Sequence, residues 1–476
     1  METAHALPPA WLVAPFVILL GMIALAPLFF AHWWHRHYPK VAISLAAVVL
    51  AYYLGVMKAT IPVAHVAHEY ISFIALIGSL FVVAGGIHIT VKGEGTPWEN
   101  VVFLLIGAVI ANVIGTTGAS MLLIRPWIRL NKYRITAHHI VFFIFIVSNI
   151  GGCLTPIGDP PLFLGYLKGV PFWWVAEHCW PMWLVGVGCL LTMFYFVDRA
   201  NFRKAPKPVR EALAESLEVW TFQGLANLFF LALILGSVFI NDPPFLREGL
   251  MLTAAVGSWF TTRKAVHLAN KFSWEPVREV AILFIGIFAT MLPALDWLQS
   301  SAKGLANVTP GFFYWSCGLL SSVLDNAPTY YSFLAAIFGV FIDADTVAQV
   351  QTLIQSHGAG LSSLVGAHAE EIKATYAALQ KYHTTSLASG QVSLEQIEMA
   401  FLLGNAKLNG FLTAISVSSV FFGANTYIGN GPNFMVKSIA EEAKVHTPGF
   451  LGYIGKFSLP FMLPMLLIVW WLFFRG

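Results

Sequence analysis

Charged residues are scarce in this chain. Asp, Glu, Lys and Arg make up 11% of its 476 residues, whereas hydrophobic residues make up 57%. Soluble domains carry about 25% charged and about 45–50% apolar residues, so a chain of this composition cannot hide its apolar side chains in one water-soluble core. The net charge of +3 is too small for a nucleic-acid partner. The composition therefore indicates an integral membrane protein whose main partner is lipid.

Cysteine is rare as well, and so is charge at the start of the chain. The cysteines lack the CxxC spacing that is typical of zinc or redox sites, so we interpret them as packing residues. Residues 1–10 contain Glu2 but no Lys or Arg, which the basic lead of a cleavable signal peptide would need. The apolar run that follows is therefore predicted to be retained as a helix. The four cysteines are Cys153, Cys179, Cys189 and Cys317.

Long apolar runs are what the chain has instead. A helix rises 1.5 Å per residue and the hydrocarbon core is about 30 Å thick, so about 20 apolar residues make one crossing. Gly, Asn or Pro clusters interrupt four further apolar stretches, at 98–131, 138–168, 309–342 and 400–437. We predict an all-α polytopic membrane protein with about ten crossings, whose regular spans are 11–32, 41–57, 70–91, 172–197, 221–240, 245–262, 276–295 and 449–474.

The basic residues predict how these spans are oriented. Lys and Arg are retained on the cytoplasmic side of membranes. An N-terminus on the outside places most of the 27 basic residues of this chain in cytoplasmic segments. This orientation requires that 98–131 enters from the cytoplasm and returns to it, and that 309–342 does the same from the outside. Both stretches are therefore predicted to be re-entrant hairpins.

The same scheme divides the chain into two inverted repeats of about five crossings each. The first repeat is 1–197, a cytoplasmic linker is 198–220, and the second repeat is 221–474, with a polar outer insertion at 343–399 that is assigned no role. Each repeat contains one re-entrant hairpin and one broken helix, which is typical of secondary transporters. The broken helices align without a gap: Gly152, Thr155, Ile157, Gly158, Pro161 and Phe163 match Gly423, Thr426, Ile428, Gly429, Pro432 and Phe434, and Asp159 matches Asn430.

The hairpin tips and breaks are the candidate binding site. Proline and glycine free backbone groups there, and lipid offers those groups no partner. Asp159 and Asp325 are the only carboxylates in these segments, at a depth where an ionised acid is costly. A proton and a cation compete for such a carboxyl group, so we predict that both residues bind sodium and exchange it for protons. The alternative is that either Asp caps a half-helix. Further predicted ligands are Ser148, Asn149, Thr116, Thr117, Thr155, Asn326, Asn425, Thr426 and Asn430.

The types of these residues leave the charge of the substrate open. Hydroxyl and amide oxygens suit a small hard cation, whereas hydroxyl and amide donors suit an oxyanion. Lys407, in the run that leads to the second break, is either a counter-charge for the substrate or a side chain that snorkels to the outer surface, and we favour the second. No His lies within 148–161 or 423–433, so the groups of an intramembrane enzyme are missing. We predict no enzymatic activity and no cofactor, with sodium and protons as transported species.

Three motifs resemble the ion transporter superfamily, which includes the divalent anion/sodium symporters, the arsenite permeases and the NhaD-type sodium/proton antiporters. They are the Thr-Thr-Gly-Ala-Ser tip at 116–120, the break at 148–161 and the hairpin at 324–328. The resemblance covers both halves except 343–399. It implies a homodimer in the inner (cytoplasmic) membrane of a bacterium, with a scaffold and a transport domain in each protomer that moves as an elevator.

The resemblance divides among the branches of that superfamily. Dicarboxylate members carry Ser-Asn-Thr at both tips, whereas this chain has Gly115-Thr116-Thr117 and Asp325-Asn326-Ala327. Gly158-Asp159 and Leu324-Asp325-Asn326 are closer to the antiporters, and Asp159-Pro160-Pro161 also resembles the permeases. We therefore predict sodium/proton antiport, with anion transport of a citrate-like carboxylate or of arsenite as the alternative.

Overall fold

The computed structural model describes residues 7–90, 95–204, 221–240, 243–302, 308–342, 344–361, 364–366 and 368–475. Helices dominate this part of the chain, which confirms the predicted all-α class. Two short strands, β1 (His88–Thr90) and β2 (Thr221–Gln223), pair antiparallel and join the end of the third helix to the start of the second half. Of the predicted linker 198–220, residues 205–220 lie outside the described residues.

Thirteen α-helices precede the insertion in the described part of the chain. The first half contains α1 (Ala14–Phe29), α2 (Ala31–Gly55), α3 (Thr60–Gly85), α4 (Pro97–Leu130), α5 (Ala137–Ile146), α6 (Pro160–Leu167) and α7 (Phe172–Lys204). The second half begins with α8 (Asn227–Ser237), α9 (Leu246–Thr261), α10 (Lys264–Ala269), α11 (Glu275–Ser301), α12 (Pro310–Ser321) and α13 (Asn326–Phe341).

The insertion is itself helical. It contains α14 (Ala344–Gln355), α15 (Ala369–Tyr382), α16 (Thr384–Ala388) and α17 (Leu394–Gly404). The chain ends with α18 (Ala406–Phe422), α19 (Gly431–Glu442), α20 (Phe450–Tyr453), a π-helix at Ile454–Met462 and α21 (Leu463–Phe473). Single 3₁₀ turns lie at Ala10–Val13, Ile150–Gly152 and Gly423–Asn425.

Length and composition make this a multi-pass membrane protein. Within the described ranges, eight helices are long and apolar enough to cross a bilayer, and two shorter apolar helices lie at Ala137–Gly152 and Asn227–Ser237. Large apolar side chains are exposed on these helices, for example Phe29 and Leu451, which are 71% and 81% exposed. Such surfaces suit contact with lipid. The eight helices are Ala10–Phe29, Ala31–Gly55, Thr60–Gly85, Pro97–Leu130, Phe172–Lys204, Glu275–Ser301, Ala406–Asn425 and Phe450–Phe473.

The long helix α4 is a hairpin. Gly115 interrupts it with a φ of 76° and a ψ of 156°, a backbone conformation that favours glycine. The amide of Gly95 donates to the carbonyl oxygen of Leu130 at 2.9 Å, so the two ends of α4 lie side by side. The predicted hairpin at 98–131, with its tip at Gly115, is therefore present in the structure.

A second hairpin is formed by α12 and α13, which turn at residues 322–325. The Phe313 and Phe333 rings meet edge to face with centroids 5.9 Å apart. Phe313 near the start and Phe341 at the end both contact Phe411, at 5.4 and 4.6 Å between ring centroids. The arms therefore return to the end from which they started, as predicted for 309–342.

Both hairpins begin with the same Thr-Pro sequence. Thr96 precedes α4 and forms a capping box with Glu99, while Thr309 precedes α12 and accepts from the amide of Phe312 at 3.2 Å. Proline follows each threonine at the first helical position, where its missing N–H costs no hydrogen bond. These caps fix where each hairpin starts.

A buried ion pair holds the base of the first hairpin. Arg134, just after α4, donates to Asp198 of α7 at 2.9 Å and to the carbonyl oxygen of Gly95 at 2.8 Å. His138 and His139 at the start of α5 place their Nε2 atoms 3.2 and 3.0 Å from the same carboxylate. All these segments are predicted to lie on one side of the membrane, and the contacts place them together, whereas the cytoplasmic orientation of that side stays a prediction.

The helices pack in two groups. We call α1, α2, α3, α8, α9 and α11 the framework group, because these helices pack mainly against one another. We call α4–α7, α12, α13, α18, α19 and α21 the site group, since it contains both hairpins and both broken helices. The groups meet where α3 packs against α4 and α6 and where α11 packs against α13.

Candidate functional site

Two broken helices run through the site group, as predicted. The first break separates α5, which ends at Ile146, from α6, and the second separates α18 from α19. The first break begins at Val147, before the predicted residue 152. Both predicted breaks, 152–163 and 423–434, ended too late, because Phe163 and Phe434 lie in α6 and α19. The reason is that prolines near the start of α6 and α19 begin these helices, since a proline there loses no helical hydrogen bond.

Paired glycines give the two breaks the same shape. A Cβ atom added at Gly158 would overlap the carbonyl oxygen of Gly152, and one added at Gly429 would lie 2.6 Å from the carbonyl oxygen of Gly423. Both contacts are too close for any side chain, so Gly158 and Gly429 must be glycine. These are the positions that the ungapped sequence match pairs with each other.

Paired threonines bind each break to its own hairpin. The Thr155 hydroxyl donates to the carbonyl oxygen of Asn112 at 2.6 Å, and the Thr426 hydroxyl donates to that of Ser322 at 2.6 Å. Each acceptor lies three residues before the tip residue, Gly115 or Asp325. The two half-sites therefore share one local plan, while the inversion of the complete halves stays a prediction.

Asp159 lies where all four segments meet. Its Oδ1 atom accepts from the Thr116 hydroxyl at 2.6 Å and from the Asn430 amide at 3.1 Å, and its Oδ2 atom accepts from the Asn326 amide. The three donors come from the first tip, the second break and the second hairpin, and Asp159 itself ends the first break. The residue is 1% exposed. The structure thus brings together four of the predicted site residues around one buried carboxylate.

The surroundings of Asp159 stabilise negative charge without a basic side chain. All three side-chain partners are donors, so the carboxylate acts as an acceptor at both oxygens. Among the residues that the structure describes, no Lys, Arg or His forms an ion pair with Asp159 or Asp325. The N-termini of α6, α13 and α19 start directly after Asp159, Asp325 and Asn430, and their positive dipole ends favour anionic groups there.

The capping alternative holds for Asp325 and not for Asp159. Asp325 is partly buried, and its Oδ1 atom accepts from the Ala327 amide at 3.1 Å at the start of α13. A capping side chain accepts from the second or third amide of its helix. After Asp159 the second residue is Pro161, which has no N–H, and the Leu162 amide donates to the main-chain oxygen of Asp159 at 3.1 Å. The Asp159 side chain is therefore left for the tip and break residues.

Asparagines connect the two breaks. The Asn430 amide donates to the main-chain oxygen of Ser148 at 3.3 Å and to Asn149 Oδ1 at 3.2 Å. The Asn149 amide in turn donates to Asn433 Oδ1 at 2.6 Å. The Ser148 hydroxyl lies 2.7 Å from that of Ser120 in the returning arm of α4. Ser148 and Asn149 thus hold the breaks together next to Asp159.

The remaining predicted residues brace the site or line its edge. Asn425 donates to the Ser322 hydroxyl at 2.9 Å, so it joins Thr155 and Thr426 in binding the hairpins rather than Asp159. Thr117 lines a cavity of ≈ 20 Å³ between α3 and the first tip, which Asp159 also lines. That volume holds about one water molecule. Lys407 is exposed in the first turn of α18, in agreement with the snorkelling interpretation.

The sequence interpretation did not select three residues that shape the site. Asn112 binds the amide of Leu154 at 2.8 Å and the carbonyl oxygen of Gly151 at 2.6 Å, which fixes the first break against α4. Ser322 and Asn433 hold the second break in the same way. Both asparagines stand inside the interrupted polar motifs, so the signal was present, but apart from Asn149, which donates to Asn433, their partners are backbone groups that no residue pattern identifies.

Comparison with known proteins gives one family. The model of the family CitMHS_2, described as "Putative citrate transport", matches residues 4–474. No curated protein matches the chain. The family match includes the insertion at 343–399, which the motif resemblance had left out. The family match and the apolar helices together indicate that the chain is a secondary transporter and not an enzyme. The chain therefore belongs to the CitMHS_2 family, within the ion transporter superfamily.

Proposed function

We propose that this protein is a cation-coupled transporter of a citrate-like carboxylate, and that sodium or a proton binds at Asp159. The observation that carries the proposal is the meeting of both hairpins and both breaks at this one buried carboxylate, together with the family match. The finer sequence prediction of sodium/proton antiport becomes the second candidate, because the family description names citrate.

The negative charge of the site explains why a carboxylate substrate needs a cation or proton bound beside it. Asp159 and Asp325 both lie where the half-helices begin, without a basic partner in the described residues. A free polyanion next to them would meet like charge in a region of low dielectric constant, which disfavours binding. A bound cation or proton removes that repulsion. The helix N-termini and the amides and hydroxyls of the tips then remain as donors for the substrate.

One observation favours the antiport candidate. The cavity beside Asp159 has a volume of ≈ 20 Å³, which suits a water molecule or a small ion and not a tricarboxylate. In a citrate transporter the tips must therefore separate from α3 before the substrate binds. In an antiporter no such widening is needed.

Proteoliposomes with the purified protein distinguish the two. We expect uptake of radiolabelled citrate that needs an inward sodium or proton gradient. Where sodium is the coupling cation, its apparent affinity should rise with pH until the Asp159 carboxylate is deprotonated. Asp159→Asn should abolish the coupling, whereas Asp325→Asn, which keeps an oxygen for the α13 cap, should leave it intact. The matched control is Asp345→Asn, which removes an exposed carboxylate from the insertion and should leave uptake unchanged.

The same vesicles test the alternative without citrate. Sodium-driven proton movement, followed with a trapped pH dye, establishes antiport if it occurs at full rate in the absence of any carboxylate. Citrate uptake that ignores both gradients, or gradient-driven uptake that survives Asp159→Asn, contradicts the coupling at Asp159.

A further inference from the structure

A buried cluster of charges lies at the far end of α6 from Asp159. The ammonium group of Lys168 contacts the Glu69 carboxylate at 2.6 Å and also contacts Glu395. The side chains of Lys168 and Glu69 are 12% and 7% exposed, and that of Glu395 is 28% exposed. The Lys168 Nζ atom lies 5.1 Å from the ring centre of Tyr331, whose hydroxyl donates to Glu69 at 3.0 Å. Three other helices thus hold this one ammonium group.

The cluster joins three parts of the protein. Lys168 follows α6, whose eight residues form a rigid rod of about 12 Å that begins next to Asp159. Glu69 belongs to α3 of the framework group, and Leu76 on the same helix lines the cavity beside Asp159. Glu395 lies in the first turn of α17, in the second repeat just where the insertion ends. Site group, framework group and insertion therefore meet at Lys168.

The physical chemistry of the cluster makes it sensitive to sliding. Two carboxylates near each other repel, and Lys168 offsets that repulsion only while its ammonium group stays within contact distance of both. A shift of α6 by one helical turn, about 5.4 Å, would separate these contacts. His65, which is exposed at the rim, lies 3.9 Å from Glu395 and closes the cluster towards solvent. The ion cluster therefore stabilises one relative position of the site group and the framework group, and its contacts are broken in others.

We propose that Lys168, Glu69 and Glu395 form a latch, closed in this structure, through which the insertion restrains the movement of α6 and the first hairpin tip away from α3. This assigns a role to the end of the insertion, for which the sequence interpretation proposed none. The inference rests on the proposed function only because the movement that the latch restrains is the one that widens the site for the substrate.

Thiol labelling measures the latch without any substrate. Leu76→Cys, in a background whose four native cysteines are replaced, places a reporter in the cavity wall; Leu76 is 2% exposed in the closed structure. We expect Glu395→Gln and Lys168→Met each to raise the labelling rate by about tenfold, since each removes a charge-assisted contact. The double variant should label no faster than Lys168→Met, because both changes break the same cluster.

The control is Glu370→Gln, which removes an exposed carboxylate that pairs with Lys373 within its own helix of the insertion. It should leave the labelling rate unchanged. If Lys168→Met does not fold, Glu395→Gln decides alone, because Lys168 then keeps Glu69 as a partner. An unchanged rate in Glu395→Gln, or independent effects that multiply in the double variant, overturns the latch. If the labelling rates are non-additive but the parent protein takes up no citrate, the latch stands and the proposed function is contradicted.

Discussion

Replacement of Asp159 by Ala and by Asn should have very different effects on stability, because two buried donors have its carboxylate as their acceptor. Asp159→Ala leaves the Thr116 hydroxyl and the Asn326 amide without that acceptor, whereas the Asn430 amide keeps Ser148 and Asn149 as partners. A buried polar group without a partner costs about 1–3 kcal/mol, so the loss is about 2–6 kcal/mol. That range is large against the stability of most folded domains.

Asp159→Asn should be far milder. An Asn carbonyl oxygen can keep the donors at the Oδ1 position, while its NH₂ group replaces Oδ2 and faces Asn326. The Oδ1 atom of Asn326 is buried without a hydrogen-bond partner, so a rotation of that amide turns it from donor into acceptor. The variant loses the extra strength of hydrogen bonds to a charged group, about 1 kcal/mol for each bond. It also avoids the cost of burying a charged carboxylate, which offsets part of that loss.

Thermal unfolding of the purified variants in one detergent, followed by tryptophan fluorescence, measures the difference. We expect Asp159→Asn to melt within a few degrees of the parent protein and Asp159→Ala to melt much earlier or to fail to fold. Transport should separate from stability, because Asp159→Asn remains folded but loses cation coupling. Equal melting temperatures for the two variants would refute the hydrogen-bond arrangement around Asp159.

Three further changes have defined outcomes. Asp325→Ala should lower the stability by about 1 kcal/mol through loss of the α13 cap while Asp325→Asn keeps it, and the same melting assay decides; equal losses would contradict the capping role. Gly158→Ala should prevent folding or abolish uptake because its Cβ would overlap the carbonyl oxygen of Gly152 in the same break, whereas Gly431→Ala, with nothing within 4 Å, should be tolerated; an active Gly158→Ala variant would contradict the close approach. Arg134→Met should cost about 3–5 kcal/mol, since it leaves Asp198 buried without its guanidinium partner; an unchanged melting temperature would show that the histidines suffice.

Much of the fold could be predicted because the bilayer allows few solutions. Apolar runs of sufficient length must cross the bilayer, and basic residues must lie on its cytoplasmic side. A stretch whose full crossing would violate the second rule must turn back. This reasoning predicted a hairpin at 98–131, and the structure contains it, with its turn at Gly115 beside the motif at 116–120. The starts of α6 and α19 were misplaced by a few residues, because proline was interpreted as a breaker although it also begins helices.

Less of the site could be predicted, since its partners are far apart in sequence. The motifs named Asp159, Thr116, Asn326 and Asn430 as candidates, but nothing in the sequence says that the last three share one carboxylate. The Lys168 cluster shows the same limit more strongly. Its members stand in three unrelated segments, and a lone lysine after a helix has no distinguishing pattern.

The difference between the two aspartates was present in the sequence. Asp159 is followed by two prolines, so the second amide of α6 is missing and the first turn has little to offer a capping side chain. Asp325 is followed by Asn326 and Ala327, whose amides are available. Counting the donors at each helix start, and not only the residue type at the cap position, would have assigned capping to Asp325 and the polar contacts to Asp159.

The mismatch of Asp159 with Asn430 explains how the two breaks can touch. They occupy matching positions, and the Asn430 amide lies 3.1 Å from the Asp159 carboxylate. An Asp at both positions would place two buried carboxylates in contact, so one would have to take up a proton before the breaks could meet. An Asn at both would leave no group to exchange a cation for a proton. One Asp and one Asn keep a single titratable group and supply the donor that holds it, so the departure from the repeat is what lets the two halves build one site.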